Sequence, residues 1–137
     1  MTFNVGDLVV LTRVTKIDEW LNDDDYTAED YFYDRDQYIV DAVTSGGNVL
    51  QYSQPVWYRE DEDGNEYELD EPESSEEYLR WEPENNPEWC FATLEMLQIL
   101  KGNHANNTGL DGICKKVLQL YRKHNAFHGS AFQFKGV

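Results

Sequence analysis

Basic residues are scarce in this sequence. Only 11 of its 137 residues are Lys or Arg, against 27 Asp or Glu, and the formal net charge is -16. A field this negative repels nucleic acid and anionic membranes, so we expect neither of them as a direct partner. The same field raises the rate of encounter with basic proteins. The charge balance therefore favours a basic protein as the partner.

Long apolar runs are also missing. The longest apolar stretch, Trp89 to Leu100, is interrupted by polar residues and is shorter than the roughly 20 residues of a membrane helix. The first residues lack the basic and apolar segments of a secretion signal. The hydrophobic fraction of 40% is nevertheless high enough for one core. We expect a single cytoplasmic domain over residues 1–137.

Cysteine and histidine are too few and too poorly spaced for an obvious chemical site. Cys90 and Cys114 each lie among apolar neighbours, which favours reduced, buried thiols over a disulfide. None of the three histidines falls in a zinc-binding spacing. The segment 61–66 resembles a calcium loop, but its Gly64 is in the fourth position where that loop requires the sixth. We predict no catalytic residue, no metal and no cofactor.

The acidic residues are concentrated in the first hundred positions. Residues 1–100 contain 26 acids and 5 bases, whereas residues 101–137 contain 1 acid and 6 bases. Nine acids lie between Asp18 and Asp36, and fourteen lie between Glu60 and Glu88. These two segments are the candidate acidic insertions, at 15–37 and 60–88.

Short alternating segments separated by turn residues predict antiparallel strands. The first is 3–11, and a hairpin follows at 38–43 and 48–52, joined through Gly46 and Gly47. A second hairpin is predicted at 56–59 and 66–69, joined through 61–65. We interpret 71–86, which contains two prolines and two serines, as a polar loop.

Helical signals occur at three places. Thr27 can cap a short helix near 27–33, with Asp30 three residues later. The segment 87–100 fits either a helix or a turn followed by a closing strand at 97–100. An apolar stripe at helical spacing predicts an amphipathic C-terminal helix over 108–124, followed by an aromatic tail at 125–137.

The order of the strand motifs resembles a known fold. Val5-Gly6-Asp7-Leu8-Val9-Val10, Tyr38-Ile39-Val40, Gly47-Asn48-Val49-Leu50 and Trp89-Cys90-Phe91 are similar in order to the small SH3-like β-barrels common among short phage-encoded proteins. The resemblance covers residues 3–100. It implies a small, partly open antiparallel SH3-like barrel with the two acidic insertions, and it leaves the C-terminal helix unaccounted for. With that separately predicted helix, we expect an α+β fold.

Acidic and aromatic residues alternate in both insertions, which is typical of a protein-binding surface. Carboxylates in a fixed array can imitate the phosphates of nucleic acid, and aromatic side chains supply the buried contacts of a tight interface. We therefore predict an inhibitor, of phage origin by the resemblance, that binds a basic nucleic-acid-binding surface of a host protein. The predicted contact residues are Asp23, Asp24, Asp25, Tyr26, Glu29, Asp30, Tyr31, Tyr33, Asp34, Asp61, Glu62, Asp63, Glu76, Glu77, Tyr78 and Trp81.

Two other functions remain open at this point. The chain could be a small structural or accessory subunit that uses its C-terminal helix and tail as the contact and carries its charge for solubility. A homodimer is a separate possibility, in which the basic C-terminal helix faces the acidic body of a second copy. It could also be a minor enzyme, although its many carboxylates define no particular pair.

Overall fold

The computed structural model describes residues 2–106, which form an open five-stranded antiparallel sheet with three α-helices. The chain contains β1 (Leu8–Arg13), α1 (Val14–Leu21), α2 (Ala28–Tyr33), β2 (Gln37–Val43), β3 (Val49–Glu60), β4 (Glu66–Arg80), a short 3-10 helix (Pro83–Asn85), β5 (Trp89–Thr93) and α3 (Leu94–Asn106). The strand order is β4-β3-β2-β1-β5. The fold is therefore a mixed α+β domain, as the sequence predicts.

Strand β1 lies at the centre of the core and is covered on both faces. Successive side chains of a strand point to opposite faces, and the neighbours Val9 and Val10 are both fully buried. The β1 residue Thr12 bonds Tyr31 of α2, so this face lies against the helices. On the other face, Leu11 lies opposite Phe91 of β5.

An aromatic cluster fills the face opposite the helices. The Phe91 ring lies 4.7 Å from the Trp81 ring and 5.2 Å from the Tyr52 ring, and Phe3 packs against its edge at 6.5 Å. Trp81 directly follows β4, so the sheet bends until its two ends approach each other. Register shifts between β2 and β3 and between β3 and β4 accompany this bend. Within residues 2–106 no ladder joins β4 to β5, and the sheet stays open.

The three α-helices pack together through specific contacts. The rings of Trp20 and Tyr31 stack at 4.9 Å between α1 and α2. Lys101 of α3 donates hydrogen bonds to the carbonyl oxygens of Trp20, at 2.9 Å, and of Asp23. These carbonyls lie at the C-terminal end of α1, where backbone acceptors lack intrahelical partners and a positive charge is favourable.

The structure confirms the local predictions most clearly at α2 and at the hairpins. Thr27 caps α2, and its side chain and that of Asp30 form a reciprocal capping box. Gly47 lies in the turn between β2 and β3 with φ of +80°, as the hairpin prediction requires. A Cβ atom at this position would lie 2.5 Å from Cβ of Thr2, so the turn requires glycine for space as well as for conformation.

Two predictions of local structure were wrong, and one helix was missed. The segment 71–86 is not a loop throughout, because β4 continues to Arg80. In the segment 87–100 neither alternative holds: the strand comes first, at Trp89–Thr93, and α3 begins at Leu94. Helix α1 was not predicted, although its buried residues Val14, Ile17 and Leu21 have helical spacing. The predicted C-terminal helix, the aromatic tail and Cys114 lie outside the described residues.

Candidate functional site

The distal halves of β3 and β4 form a two-stranded ribbon beyond the rest of the sheet. Strand β3 pairs with β2 only as far as Ser53, and from Pro55 onward its paired residues face β4 alone. We call residues 56–73 the acidic ribbon, since they contain nine acids and one arginine. None of them belongs to the hydrophobic core.

The turn of the ribbon is held by backbone and side-chain hydrogen bonds. Oδ1 of Asp61 accepts from the backbone N–H of Asn65 at 2.8 Å and of Asp63 at 3.0 Å. Gly64 adopts φ of +80°, which glycine tolerates at low cost. Nε of Arg59 donates to Glu73 across the ribbon at 2.9 Å. Asp61, a predicted contact residue, therefore also stabilises the turn through its side chain.

One face of the ribbon carries an uninterrupted set of acids beside an exposed tyrosine. Tyr58 lies opposite Glu68, and Glu60 lies opposite Glu66. Since alternate residues of a strand share a face, these four side chains lie on the same side. We call Tyr58, Glu60, Glu66 and Glu68 the acidic face. Tyr58 is 53% exposed.

The acidic face costs folding stability. Like charges directly opposite each other in an antiparallel pair are destabilising, and Glu60 and Glu66 occupy such a pair. Their carboxylates form no ion pair within residues 2–106, where the two ion pairs are Lys16–Glu19 and Arg59–Glu73. The face is thus a concentration of negative charge that the fold itself does not use.

The predicted residues of the first acidic segment lie between α1 and α2, on α2 or, for Asp34, directly after α2, and several have partners within the chain. The hydroxyl of Tyr26 donates to Asp34, and Asp23 accepts from the backbone of Asp25. Glu29 accepts from Gln98 of α3 at 2.7 Å. Asp30 serves the capping box of α2. These carboxylates hold the helices in place, and their side chains are less available than the sequence implies.

Two of the predicted aromatic contacts are core residues, and their assignment to a binding surface is wrong. Tyr31 is 2% exposed and stacks on Trp20, while Trp81 is 5% exposed within the aromatic cluster. Burial raises the pKa of the Tyr31 hydroxyl above its ordinary value of 10.0. Neither ring can reach a partner without unfolding. The sequence could not distinguish these rings from exposed ones, because the surrounding acids are exposed.

The remaining predicted residues are exposed. Tyr33 is 62% exposed at the end of α2, and Tyr78 is 59% exposed on β4. Glu76 and Glu77 lie in a bulge of β4, where residues 75–77 oppose the single residue 54 of β3. Glu62 and Asp63 lie in the turn of the ribbon. Asp24 is exposed between α1 and α2. Within residues 2–106 no hydrogen bond or ion pair joins the α1–α2 segment to the ribbon, so the two predicted groups are separate surfaces.

Sequence reasoning selected none of the four residues of the acidic face as contacts. Tyr58, Glu66 and Glu68 lie in the strands of the predicted second hairpin and Glu60 directly follows the first of them, but only the acids of the turn were selected. The alternation of Glu66, Tyr67, Glu68 and Leu69 was the available signal, since it predicts two carboxylates on one face of a strand.

The described part of the chain contains no group of three His, Cys, Asp or Glu side chains arranged to hold a metal ion. Cys90 is buried and free, and burial raises the pKa of its thiol far above the ordinary value of 9.0. A thiol with a raised pKa is a poor nucleophile. No helix in residues 2–106 is both long and apolar enough to cross a membrane.

Comparisons with known proteins found no matching family model, and no significant match among curated proteins or among solved structures. The functional proposal therefore depends on the geometry and charge of the chain itself.

Proposed function

We propose that the protein binds a basic, nucleic-acid-binding surface of another protein through its acidic ribbon and thereby inhibits nucleic-acid binding. The observation that carries the proposal is the acidic face, where Glu60, Glu66 and Glu68 are fixed on one side of a ribbon next to the exposed Tyr58. A cluster of acids on a mobile loop would not hold such an array.

The paired strands of the ribbon carry a high density of negative charge. The strand segment 56–60 is about 16 Å long at about 3.3 Å per residue. This segment and its partner segment 66–73 contain six acids and one arginine, and therefore five net negative charges. This is about one charge per 3 Å, against about one per 1.7 Å along duplex DNA. The three acids of the turn, Asp61, Glu62 and Asp63, add to the same field.

The exposed tyrosines supply the second element of an interface. Tyr58 and Tyr67 are about half exposed. Tyr67 lies opposite Arg59, the chain neighbour of Tyr58, and adjacent residues of a strand point to opposite faces, so the two tyrosines lie on opposite faces of the ribbon. Tyrosine is enriched among the residues that contribute most to binding energy. The ribbon thus combines long-range attraction with contacts that act after the encounter.

The corrected binding surface consists of the acidic face, Glu62, Asp63 and Tyr67, with Glu76, Glu77 and Tyr78 further along β4. Tyr31 and Trp81 are removed from it because they are buried. We propose further that the bent sheet is a partly open SH3-like barrel and that the protein acts in the cytoplasm of a host cell. The alternative of an accessory subunit depends on residues 108–134, which lie outside the described residues.

The proposal is tested by affinity capture from a bacterial lysate with three immobilised forms of the full chain. These are the wild type, a ribbon variant with Glu60, Glu66 and Glu68 changed to Gln, and a control variant with Glu84, Glu88 and Glu95 changed to Gln. Both variants lose three charges, and all six side chains are exposed. The proposal requires a protein that the wild type and the control retain, that the ribbon variant loses, and that duplex DNA displaces. Equal retention by both variants would contradict it.

A further inference from the structure

The acidic ribbon has a second face, which carries apolar side chains. Tyr67 lies opposite Arg59 and therefore on the other side of the ribbon from Tyr58. Trp57 is two residues before Arg59 on β3, and Leu69 is two residues after Tyr67 on β4, so both share that side. We call Trp57, Tyr67 and Leu69 the apolar face.

The described part of the chain does not cover the apolar face. Tyr67 is 49% exposed, and Trp57 and Leu69 are partly exposed. Within residues 2–106, none of the three belongs to the hydrophobic core or packs against it. The side chains of Trp57 and Tyr67 also make no hydrogen bond or ring contact with these residues. Large apolar side chains gain free energy when another surface covers them, so this face is a candidate contact surface.

The sequence beyond Asn106 is complementary to this surface in charge and in hydrophobicity. Residues 107–137 contain five bases and one acid, a net charge of +4. The ribbon contains nine acids and one arginine, a net charge of -8. The apolar stripe of the helix predicted at 108–124, which includes Leu110, Ile113 and Val117, requires an apolar surface to pack against. A second ribbon from another copy is a poorer match, because two surfaces of charge -8 repel each other.

The C-terminal segment is also long enough to reach the ribbon. A helix over 108–124 is about 25 Å long, at a rise of about 1.5 Å per residue. The 13 residues that follow it span up to about 43 Å when extended. A domain of about 100 residues has a radius of gyration of about 13 Å. Attachment to the same chain also gives the segment a high effective concentration at the ribbon.

We propose that residues 107–137 bind the apolar face of the ribbon within the same chain. The acidic face, on the other side of the ribbon, stays open to solvent. This intramolecular contact does not depend on the function proposed for the acidic face. One consequence does rest on that function: the segment covers Tyr67 in the free protein, so a partner that contacts Tyr67 must first displace the segment.

The test measures whether the segment lies near the ribbon in the full chain. A nitroxide spin label is attached at position 119 through Gln119→Cys, in a chain that also carries Cys114→Ala. Gln119 lies opposite the predicted apolar stripe, so the label stays outside the contact. Cys90 is buried and the pKa of its thiol is raised, so this cysteine does not take up the label.

The readout is the broadening of amide signals of the ¹⁵N-labelled protein by the nitroxide. We expect broadening at residues 57–59 and 67–69. The amides of residues 44–48 should stay sharp, because this turn lies at the opposite end of β3 from the ribbon.

Single substitutions locate the contact on one face of the ribbon. Tyr67→Ser should lower the ratio of bound to free segment about tenfold and restore the ribbon signals. Tyr58→Ser is the matched control, because Tyr58 is 53% exposed on the acidic face, and it should leave the broadening unchanged. Val117→Ser changes the segment and not the ribbon. It should restore the signals as well, which excludes a folding defect of the ribbon as the cause.

A mixed sample distinguishes a contact within one chain from a contact between two copies. It contains ¹⁵N-labelled chain without the nitroxide and ¹⁴N chain with it, and we expect no broadening at the ribbon. The proposal is overturned if broadening appears only in this mixture, since the segment then binds a second copy. It is also overturned if the ribbon signals of the spin-labelled ¹⁵N chain stay sharp, or if Tyr58→Ser and Tyr67→Ser have equal effects.

Discussion

Oη of Tyr31 lies 2.9 Å from Oγ1 of Thr12 in the buried layer between the sheet and helix α2. This hydrogen bond joins the central strand β1 to α2, the helix that bears several of the predicted contact residues. Tyr31 is thus a structural residue, and the acids near it in the sequence are exposed around a buried ring.

We predict that Tyr31→Phe destabilises the fold by about 1 to 3 kcal/mol, because it leaves the buried Thr12 hydroxyl without its partner. Denaturant unfolding measures this difference. Tyr33→Phe is the control, since Tyr33 is 62% exposed and should change stability by less than about 0.5 kcal/mol. Equal effects of the two variants would show that the buried hydrogen bond contributes nothing.

The same pair predicts a dependence on alkaline pH. Burial raises the pKa of Tyr31 in the folded state above 10.0. A raised pKa means that the unfolded chain releases the proton first, so this contribution to stability is complete below pH 10 and is lost as the pH rises through the folded pKa. The phenylalanine variant lacks this loss. Its deficit relative to the wild type should therefore shrink above pH 10, by at most about 1.4 kcal/mol per pH unit. A constant deficit in unfolding experiments at pH 8 and pH 11 would contradict this prediction.

Removing a charge from the acidic face should stabilise the fold, although the same charge is proposed to favour binding. Glu60→Gln removes the repulsion with Glu66 across the ribbon and should stabilise the fold by about 0.2 to 1 kcal/mol. Glu73→Gln is the matched control, because it removes the ion pair with Arg59 and should not stabilise the protein. Denaturant midpoints decide between these outcomes. If Glu60→Gln is destabilising, Glu60 has a structural role, and the acidic face does not lower the stability of the fold.

Lys101, which contacts the C-terminal end of α1, should contribute more to stability than Lys16, which lies on α1. Its ammonium group donates to carbonyls at the end of α1 and lies 5.1 Å from the Trp20 ring. Lys101→Met should cost about 1 to 3 kcal/mol in unfolding free energy. Lys16→Met removes only an exposed ion pair with Glu19 and should cost less than about 1 kcal/mol. Equal melting temperatures for the two variants would contradict the capping role.

The sequence predicted the elements whose signals are local. The capping box of Thr27 and Asp30 and the glycines of the first hairpin each act within a few residues, so they were visible without tertiary information. Helix α1 was missed because Arg13 provides no side-chain cap for its start. The boundary between β5 and α3 was missed because both elements are apolar and directly consecutive. The available signal was Thr93, whose hydroxyl accepts the backbone N–H of Met96 at the start of α3.

The candidate site was predicted in composition more than in geometry. The acidic character of 60–88 follows from the sequence, but the length of β4 depends on pairing with β3, which a local pattern does not specify. The exposure of aromatic residues could not be assigned for the same reason. Trp81 is buried because the bend of the sheet brings it onto Phe91, a contact between residues of distant strands.

The most direct test of the central claim is a competition between this protein and duplex DNA for the partner recovered by affinity capture. We predict that the protein displaces a fluorescent duplex from the partner and that its association rate falls steeply between about 0.05 and 0.5 M salt. The ribbon variant, with Glu60, Glu66 and Glu68 changed to Gln, should associate more slowly than the control variant with Glu84, Glu88 and Glu95 changed to Gln. A partner that holds the protein and the duplex together, with a rate independent of salt, would contradict the account.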